Sequence, residues 1–96
     1  MSEEIIKISK VFKHPRRIKI INMLATDGEL TAKEILDRMS DDVLPQYLYG
    51  DLELMRAASL IQRRFDDNSG CFIYSIKNKT VIITLTDMSV RWCDDF

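Results

Sequence analysis

Residues 28–39 read Gly28-Glu29-Leu30-Thr31-Ala32-Lys33-Glu34-Ile35-Leu36-Asp37-Arg38-Met39, and this stretch decides how the rest of the chain divides. Thr31 and Glu34 have the spacing of a capping box. The Thr31 hydroxyl can accept from the Glu34 N–H while the Glu34 carboxylate accepts from the Thr31 N–H, which satisfies two of the donors that a helix start leaves over. Behind the cap, Ala32, Ile35, Leu36 and Met39 fall at i, i+3, i+4 and i+7. The pattern predicts a short helix with one buried face. Ser40-Asp41-Asp42 is expected to break it.

Working outward, a fourth helix is predicted from about Leu44 to Ala58, with Leu44, Leu48, Leu52 and Met55 along one stripe and Pro45 in its first turn. On the other side, Pro15 to Ala25 holds Ile18, Ile20, Ile21, Met23 and Leu24 and is apolar nearly all round, as a central helix should be; Asp27-Gly28 ends it. His14-Pro15 separates this segment from an amphipathic first helix over residues 3–13. There Ile5, Ile8 and Phe12 share a stripe and Lys7, Lys10 and Lys13 lie mostly off it.

Beyond the fourth helix the period changes. Leu60 to Phe65 and Cys71 to Ile76 are short segments rich in aromatic and branched residues, separated by Asp66-Asp67-Asn68-Ser69-Gly70. They predict a β-hairpin with a five-residue turn. After Lys77-Asn78-Lys79 two signals compete. Val81, Leu85, Met88 and Trp92 have helical spacing, whereas Thr80 to Thr86 is crowded with β-branched residues that favour a strand. Giving the spacing more weight predicts a C-terminal helix.

The 96 residues suffice for one modest core, and 46% hydrophobic with 30% charged residues is a globular balance. No apolar run approaches the roughly 20 residues of a membrane span. Met1-Ser2-Glu3-Glu4 is acidic where a secretion signal would be basic, so a cytoplasmic location is expected. Cys71 and Cys93 have no framework spacing; a reducing compartment suits them, and a bridge between the two stays open. Net charge is −1, but six cations and no acid lie between Ile5 and Ile20. A looser basic group comprises Arg56, Arg63, Arg64, Lys77 and Lys79, while acids gather at Asp41-Asp42, Asp66-Asp67 and Asp94-Asp95. Segregation of this kind permits a basic face on a near-neutral protein; the cation run is equally the pattern of a solvated helix face.

Three helices, a tight link between the second pair, then a hairpin is the order of a winged helix. Val11-Phe12-Lys13-His14-Pro15-Arg16-Arg17-Ile18-Lys19-Ile20-Ile21 is similar to the "aL-dPtRlrIL" opening of the ArsR-like winged-helix regulators. Gly28 to Ile35 is similar to their "geltv-eia", and Asp51 to Ile61 stands in the place of "hLk-LreaGLv". Phe72 to Ile76 resembles the strand that leaves the wing. The resemblance runs from about residue 8 to 79. It implies a mainly α fold with a small β-hairpin: a winged helix-turn-helix of three core helices plus wing, flanked by N- and C-terminal helices. One domain is expected over 1–96. Within it, 1–14 forms the N-terminal helix, 15–79 the helix-turn-helix and wing, and 80–96 a dimerising segment.

The resemblance further implies a homodimeric transcriptional regulator of double-stranded DNA, with the fourth helix in the major groove. Gln46, Tyr47 and Gly50 would then face outward. Gln46 could pair with adenine, Tyr47 or Tyr49 could reach a phosphate or a thymine methyl, and Gly50 would allow close approach. Arg16, Arg17, Lys19, Lys33, Arg63 and Arg64 would supply phosphate contacts. The apolar stripes of Ile5, Ile8 and Phe12 and of Val81, Leu85, Met88 and Trp92 would meet across a two-fold axis. Two departures from the pattern would repel phosphate: Gly50, Asp51 and Glu53 on the outer side of the fourth helix, and an acidic Asp66-Asp67 wing tip. The tyrosines could instead pack on the hairpin, and Trp92 reads as an interface or core anchor. A winged helix that binds protein without DNA is the competing reading. No metal site, cofactor or enzymatic activity is expected. The third helix lacks a Cys-x-Cys element, His14 stands alone as a cap or surface residue, and the paired acids sit in turns. The sequence is silent on any small-molecule effector.

Overall fold

The computed structural model describes residues 3–39 and 44–93. Four helices come first in order, α1 (Glu3–Phe12), α2 (Pro15–Asp27), α3 (Ala32–Arg38) and α4 (Pro45–Ala57), with a short strand β1 (Glu29–Thr31) between α2 and α3. Two hairpins follow, β2 (Ile61–Asp66) with β3 (Cys71–Ile76), and β4 (Thr80–Thr84) with β5 (Ser89–Cys93). The expected breaker Ser40-Asp41-Asp42 and the Asp94-Asp95 pair lie outside the described residues.

The helix starts follow the local chemistry. Pro15 and Pro45 each occupy a first turn, where the missing N–H leaves no gap in the ladder. His14 holds the N-cap position of α2 without a side-chain bond. In α3 both arms of the capping box form: the Glu34 N–H donates to Thr31 Oγ1 at 3.2 Å, and the Thr31 N–H donates to Glu34 Oε1 at 3.0 Å. Those bonds hold the Glu34 carboxyl below its ordinary range. Gly28 closes α2 at φ 86°, its N–H returning to the Leu24 carbonyl at 2.8 Å.

The hairpin expected over residues 60–76 is present, with Asp66 as the last residue of β2 and a tighter turn beyond it. The Gly70 N–H donates to the Asp66 carbonyl at 2.8 Å, and Gly70 takes a φ of 70°. Sequence alone does not announce β1. It adds to the hairpin as a third, antiparallel strand, in the order β1-β3-β2, with Leu30 opposite Tyr74. This strand ties the start of α3 to the wing.

The C-terminal segment corrects the expectation of a helix. Residues 80–93 form a hairpin in which Val81 pairs with Trp92 and Ile83 with Val90. The physical reason is visible in Thr80-Val81-Ile82-Ile83-Thr84, where β-branched side chains lose rotamer freedom in a helix and pack well on a pleated surface. The apparent helical spacing arises because Val81 and Trp92 are cross-strand partners, while Leu85 and Met88 sit in the turn between them. This hairpin meets the body through Val81, Val90 and Trp92, which pack against the main core, and through Trp92 Nε1, which donates to Glu4 Oε2 at 3.2 Å.

That core gathers Ile8 and Val11 from α1, Ile20 and Leu24 from α2, Leu30, Ile35 and Met39, Leu48, Leu52 and Met55 from α4, and Leu60, Ile61 and Tyr74 from the sheet. The end of α4 is locked by two returning bonds. The Leu60 N–H reaches the Met55 carbonyl at 3.1 Å and the Ser59 N–H reaches the Arg56 carbonyl at 3.0 Å, the pairing of a Schellman motif. Ser59 carries the required left-handed conformation at φ 63°, where a Cβ is disfavoured by roughly 1–2 kcal/mol. Ser59→Gly is therefore expected to raise stability by about 0.5–1 kcal/mol, the relief exceeding glycine's greater unfolded-state entropy. A urea midpoint that stays level or falls would contradict this account.

Candidate nucleic-acid interface

The rotation of α4 about its own axis determines what it can present. Leu48, Asp51, Leu52 and Met55 are buried, which is the i, i+3, i+4, i+7 set of a single helix face. Gln46, Tyr47, Tyr49, Gly50 and Glu53 are exposed on the remaining surface. The outward placement expected for Gln46, Tyr47 and Gly50 therefore matches the structure. Asp51 does not: only 2% of it is accessible, so it is no part of the outer face.

Asp51 lies between two guanidinium groups from the start of α2. Arg16 Nε donates to its Oδ2 at 2.6 Å and Arg16 Nη2 to its Oδ1 at 3.1 Å. Arg17 Nε donates to Oδ1 at 2.8 Å. Arg17 also donates through Nη1 to the Lys10 carbonyl at 2.6 Å, an otherwise unpaired acceptor in the last turn of α1. Burial pushes the Asp51 carboxyl up, but the arginine hydrogen bonds and charges outweigh it, and the group sits below the usual carboxylate range. The same bond raises Arg16 above its ordinary value.

This arrangement takes Arg17 out of the set that the resemblance offered for phosphate contacts, because its side chain is buried and holds Asp51 and the Lys10 carbonyl. Arg16 keeps 31% of its side chain accessible, with its guanidinium carbon 5.9 Å from the centre of the Tyr47 ring. Lys19 and Lys33 are exposed.

The wing brings further residues to the same side. Lys33 at the start of α3, Tyr49 on α4, and Cys71, Phe72 and Tyr74 on β3 line a shallow cleft of 200 Å³. Phe65 and Phe72, opposite each other in the hairpin, meet edge to face with centroids 5.4 Å apart. Arg63 stands 4.1 Å above the Phe72 ring and reaches Glu53 of α4 at 3.3 Å, while Arg56 holds the same carboxylate at 2.8 Å. Arg64 pairs with Glu29 at 2.8 Å. At the tip, the Ser69 side chain and neighbouring N–H groups hold the Asp66 carboxyl below its ordinary range.

The residues expected at a dimer interface divide. Ile8 is 2% exposed and belongs to the core of the single chain, which takes it out of the interface set. Ile5, Val81, Met88 and Trp92 are half-buried. Phe12 and Leu85 are 44% and 77% exposed, and Ile6 and Ile83, which the sequence reading passed over, reach 40% and 36%. Both cysteines are free thiols. Among the described residues there is no cluster of three metal-ligating side chains and no helix long and apolar enough to cross a membrane.

The Asp51 group makes a sharp stability prediction. Its folded pKa is depressed, so its contribution is complete above the unfolded carboxylate value and is lost as pH falls through the lower folded value. Asp51→Asn leaves Arg17 buried without its counter-charge and is expected to destabilise the fold by about 3 kcal/mol at neutral pH. The gap between the two proteins should narrow below about pH 4. Urea titrations across pH check this; a gap that stays constant as pH falls well past the unfolded carboxylate value would refute the assigned charge state.

The sequence matches no protein-family model and no curated protein. Its structure is similar to several that have been solved. HlyU from Vibrio cholerae aligns at a TM-score of 0.66 and 21% identity, over 82% of this chain and 84% of that one. Rv0081 from M. tuberculosis aligns at 0.62 and 29% identity, over 79% and 76%. The ferric uptake regulator from Pseudomonas aeruginosa, solved with manganese, aligns at 0.60 and 18% identity, over 98% and 77%. With the element order above, these likenesses establish the architecture: the chain is a winged helix-turn-helix, with α3 and α4 as the paired helices and β2–β3 as the wing.

Proposed function

We propose that the chain is a sequence-specific, DNA-binding transcriptional regulator that acts as a homodimer. One observation carries the reading. The first acid along α4, Asp51, is turned inward and neutralised, so the exposed surface from Gln46 to Gly50 presents an amide, two phenols and an open glycine with no negative charge. An amide suits adenine, and a phenol suits a phosphate oxygen or a thymine methyl.

Gly50 strengthens the case. It sits inside a helix, where glycine costs roughly 0.8–1 kcal/mol relative to alanine. Nothing in the fold calls for it, since a Cβ built there would meet no atom within 4 Å. A bare backbone on an exposed helix face suits a surface that a partner approaches closely. Arg16 beside Tyr47, Lys33 in the cleft with Tyr49, and Arg63 at Glu53 supply cations next to this face for the phosphates, with Arg64 further along the wing. The regulator named among the structural neighbours agrees with the reading.

For the second half of the proposal, Ile6, Phe12, Ile83 and Leu85 leave apolar surface outside the single chain's core. Burying it across a two-fold axis would set two copies of α4 about one DNA turn apart. A second reading, docking to a protein without DNA, is favoured by the exposed Phe65–Phe72 pair and by Glu53 beside it.

Gel shifts on fragments of the host genome at graded salt separate the two. Binding that weakens with salt is expected. Gln46→Ala should reduce affinity for the preferred fragment by about tenfold. Gly50→Ala should bind more weakly while melting higher. Glu53→Gln should bind more tightly and steepen the salt slope by about 1 to 2 counterions, since Arg56 and Arg63 are released to phosphate. Absence of binding at low salt would overturn the DNA reading. The dimer has its own check: light scattering at tens of micromolar should give twice the chain mass, and Leu85→Glu should halve it. A wild-type monomer would end the homodimer proposal.

A further inference from the structure

Between α2, the wing and the start of the C-terminal hairpin lies a cleft of 620 Å³. Its lining includes the core residues Leu24 and Leu60, together with Phe12, Ile21, Ile76 and Val81. Leu24 and Leu60 are 1% and 7% exposed, so the apolar core continues to the cleft without a polar layer. Asn22, Ser75 and Asn78 also line it, and among the described residues Lys79 is the one charged group that does. Asn78 is held by its side-chain amide, which donates to the Ser59 carbonyl at 3.1 Å, and this fixes the backbone that carries Lys79 at the mouth.

We infer that this cleft binds a small amphipathic carboxylate, a single-chain fatty acid of medium length, with its tail against Leu24, Leu60 and Val81 and its head at Lys79. The volume lies in the range of small-molecule sites, roughly 300–1,000 Å³, and apolar walls with one fixed charge are what such a ligand requires. A neutral ligand would leave Lys79 without a role, and a cationic one would be repelled. Of the side chains assigned above to the homodimer face, Ile6, Phe12, Ile83 and Leu85, only Phe12 lines the cleft, so the cleft is largely separate from that face. None of Gln46, Tyr47, Tyr49 or Gly50 lines it either, so the site stands whether or not α4 binds DNA.

The chain contains its own reporter. Trp92, the single tryptophan, is the cross-strand partner of Val81. Decanoate, titrated below its micelle threshold in the absence of DNA, should bind one per chain by calorimetry and shift Trp92 emission, with a dissociation constant on the order of tens of micromolar. Lys79→Gln should weaken it about five- to tenfold. Decanol should bind the unmodified protein more weakly by a similar factor and be indifferent to that substitution. Ala25→Phe, at an exposed position on the cleft wall, should abolish binding with the circular dichroism unchanged. Absence of saturable heat up to about 1 mM, binding that survives Ala25→Phe, or decanol binding as tightly as decanoate would each overturn the inference.

Discussion

A carboxylate taken out of water loses several kcal/mol of hydration, and only close, multiple hydrogen bonds to opposite charge recover it. Asp51 meets that condition through three N–H donors from Arg16 and Arg17, and the orientation of the helices depends on its doing so. Arg17 adds the carbonyl of Lys10, so one guanidinium joins the end of α1, the start of α2 and the middle of α4. Apolar packing alone would tolerate some rotation of α4, because Leu48, Leu52 and Met55 are soft, similar shapes. A charged group that is stable only between two particular donors does not. Such a contact adds little net stability over a hydrophobic replacement and much definition of register, and register decides which side chains α4 presents.

The same pairing explains how a winged helix can carry a net charge of −1 without an acidic surface on the first turns of α4. Asp51 is neutralised inside. Glu53 is shared by Arg56 and Arg63, Glu29 is paired with Arg64, and Asp27 with Arg38. These surface pairs are weak and screened, so a phosphate can compete with each carboxylate for its arginine. The buried pair of Asp51 and Arg17 is different in kind. Its charges are committed to the fold, and a ligand that removed them would have to unfold the start of α2.

What the sequence disclosed follows from the range of the forces involved. The capping box at Thr31 and Glu34, the first-turn prolines and the turn ending in Gly70 are decided by residues within four or five positions of each other, and all were legible. So was the exposed character of Gln46, Tyr47 and Gly50, which needs only the Leu48–Leu52 stripe. Strand β1 was not, because Glu29-Leu30-Thr31 is a strand only by virtue of Ser75, Tyr74 and Ile73 opposite it. Asp51 was misplaced for a related reason. It occupies the i+3 position of the Leu48 stripe, a signal that was present, but an acid there is credible only when its partners are known, and they lie 34 and 35 residues earlier. In the C-terminal segment a period-of-four coincidence outweighed a run of β-branched residues, which was the more physical signal.

The distribution of contacts also separates what is rigid from what is adjustable. Helix α2 serves both places: Arg16 and Arg17 at its start hold α4, while Ile21, Leu24 and Ala25 further along line the cleft. A straight rod of 13 residues, about 20 Å long, has no soft point through which its two ends could move independently. Among the described residues, the β4–β5 hairpin packs on the core through three half-buried side chains, and Trp92 adds an exposed hydrogen bond to Glu4; elements so lightly held occupy the low end of local stability. Any event at the cleft therefore reaches the hairpin through Val81 at far smaller cost than it reaches α4 through α2. If the apolar surface on that hairpin pairs two chains, coupling between the cleft and the outer face of α4 must run through the spacing of the two copies and not through distortion of either one.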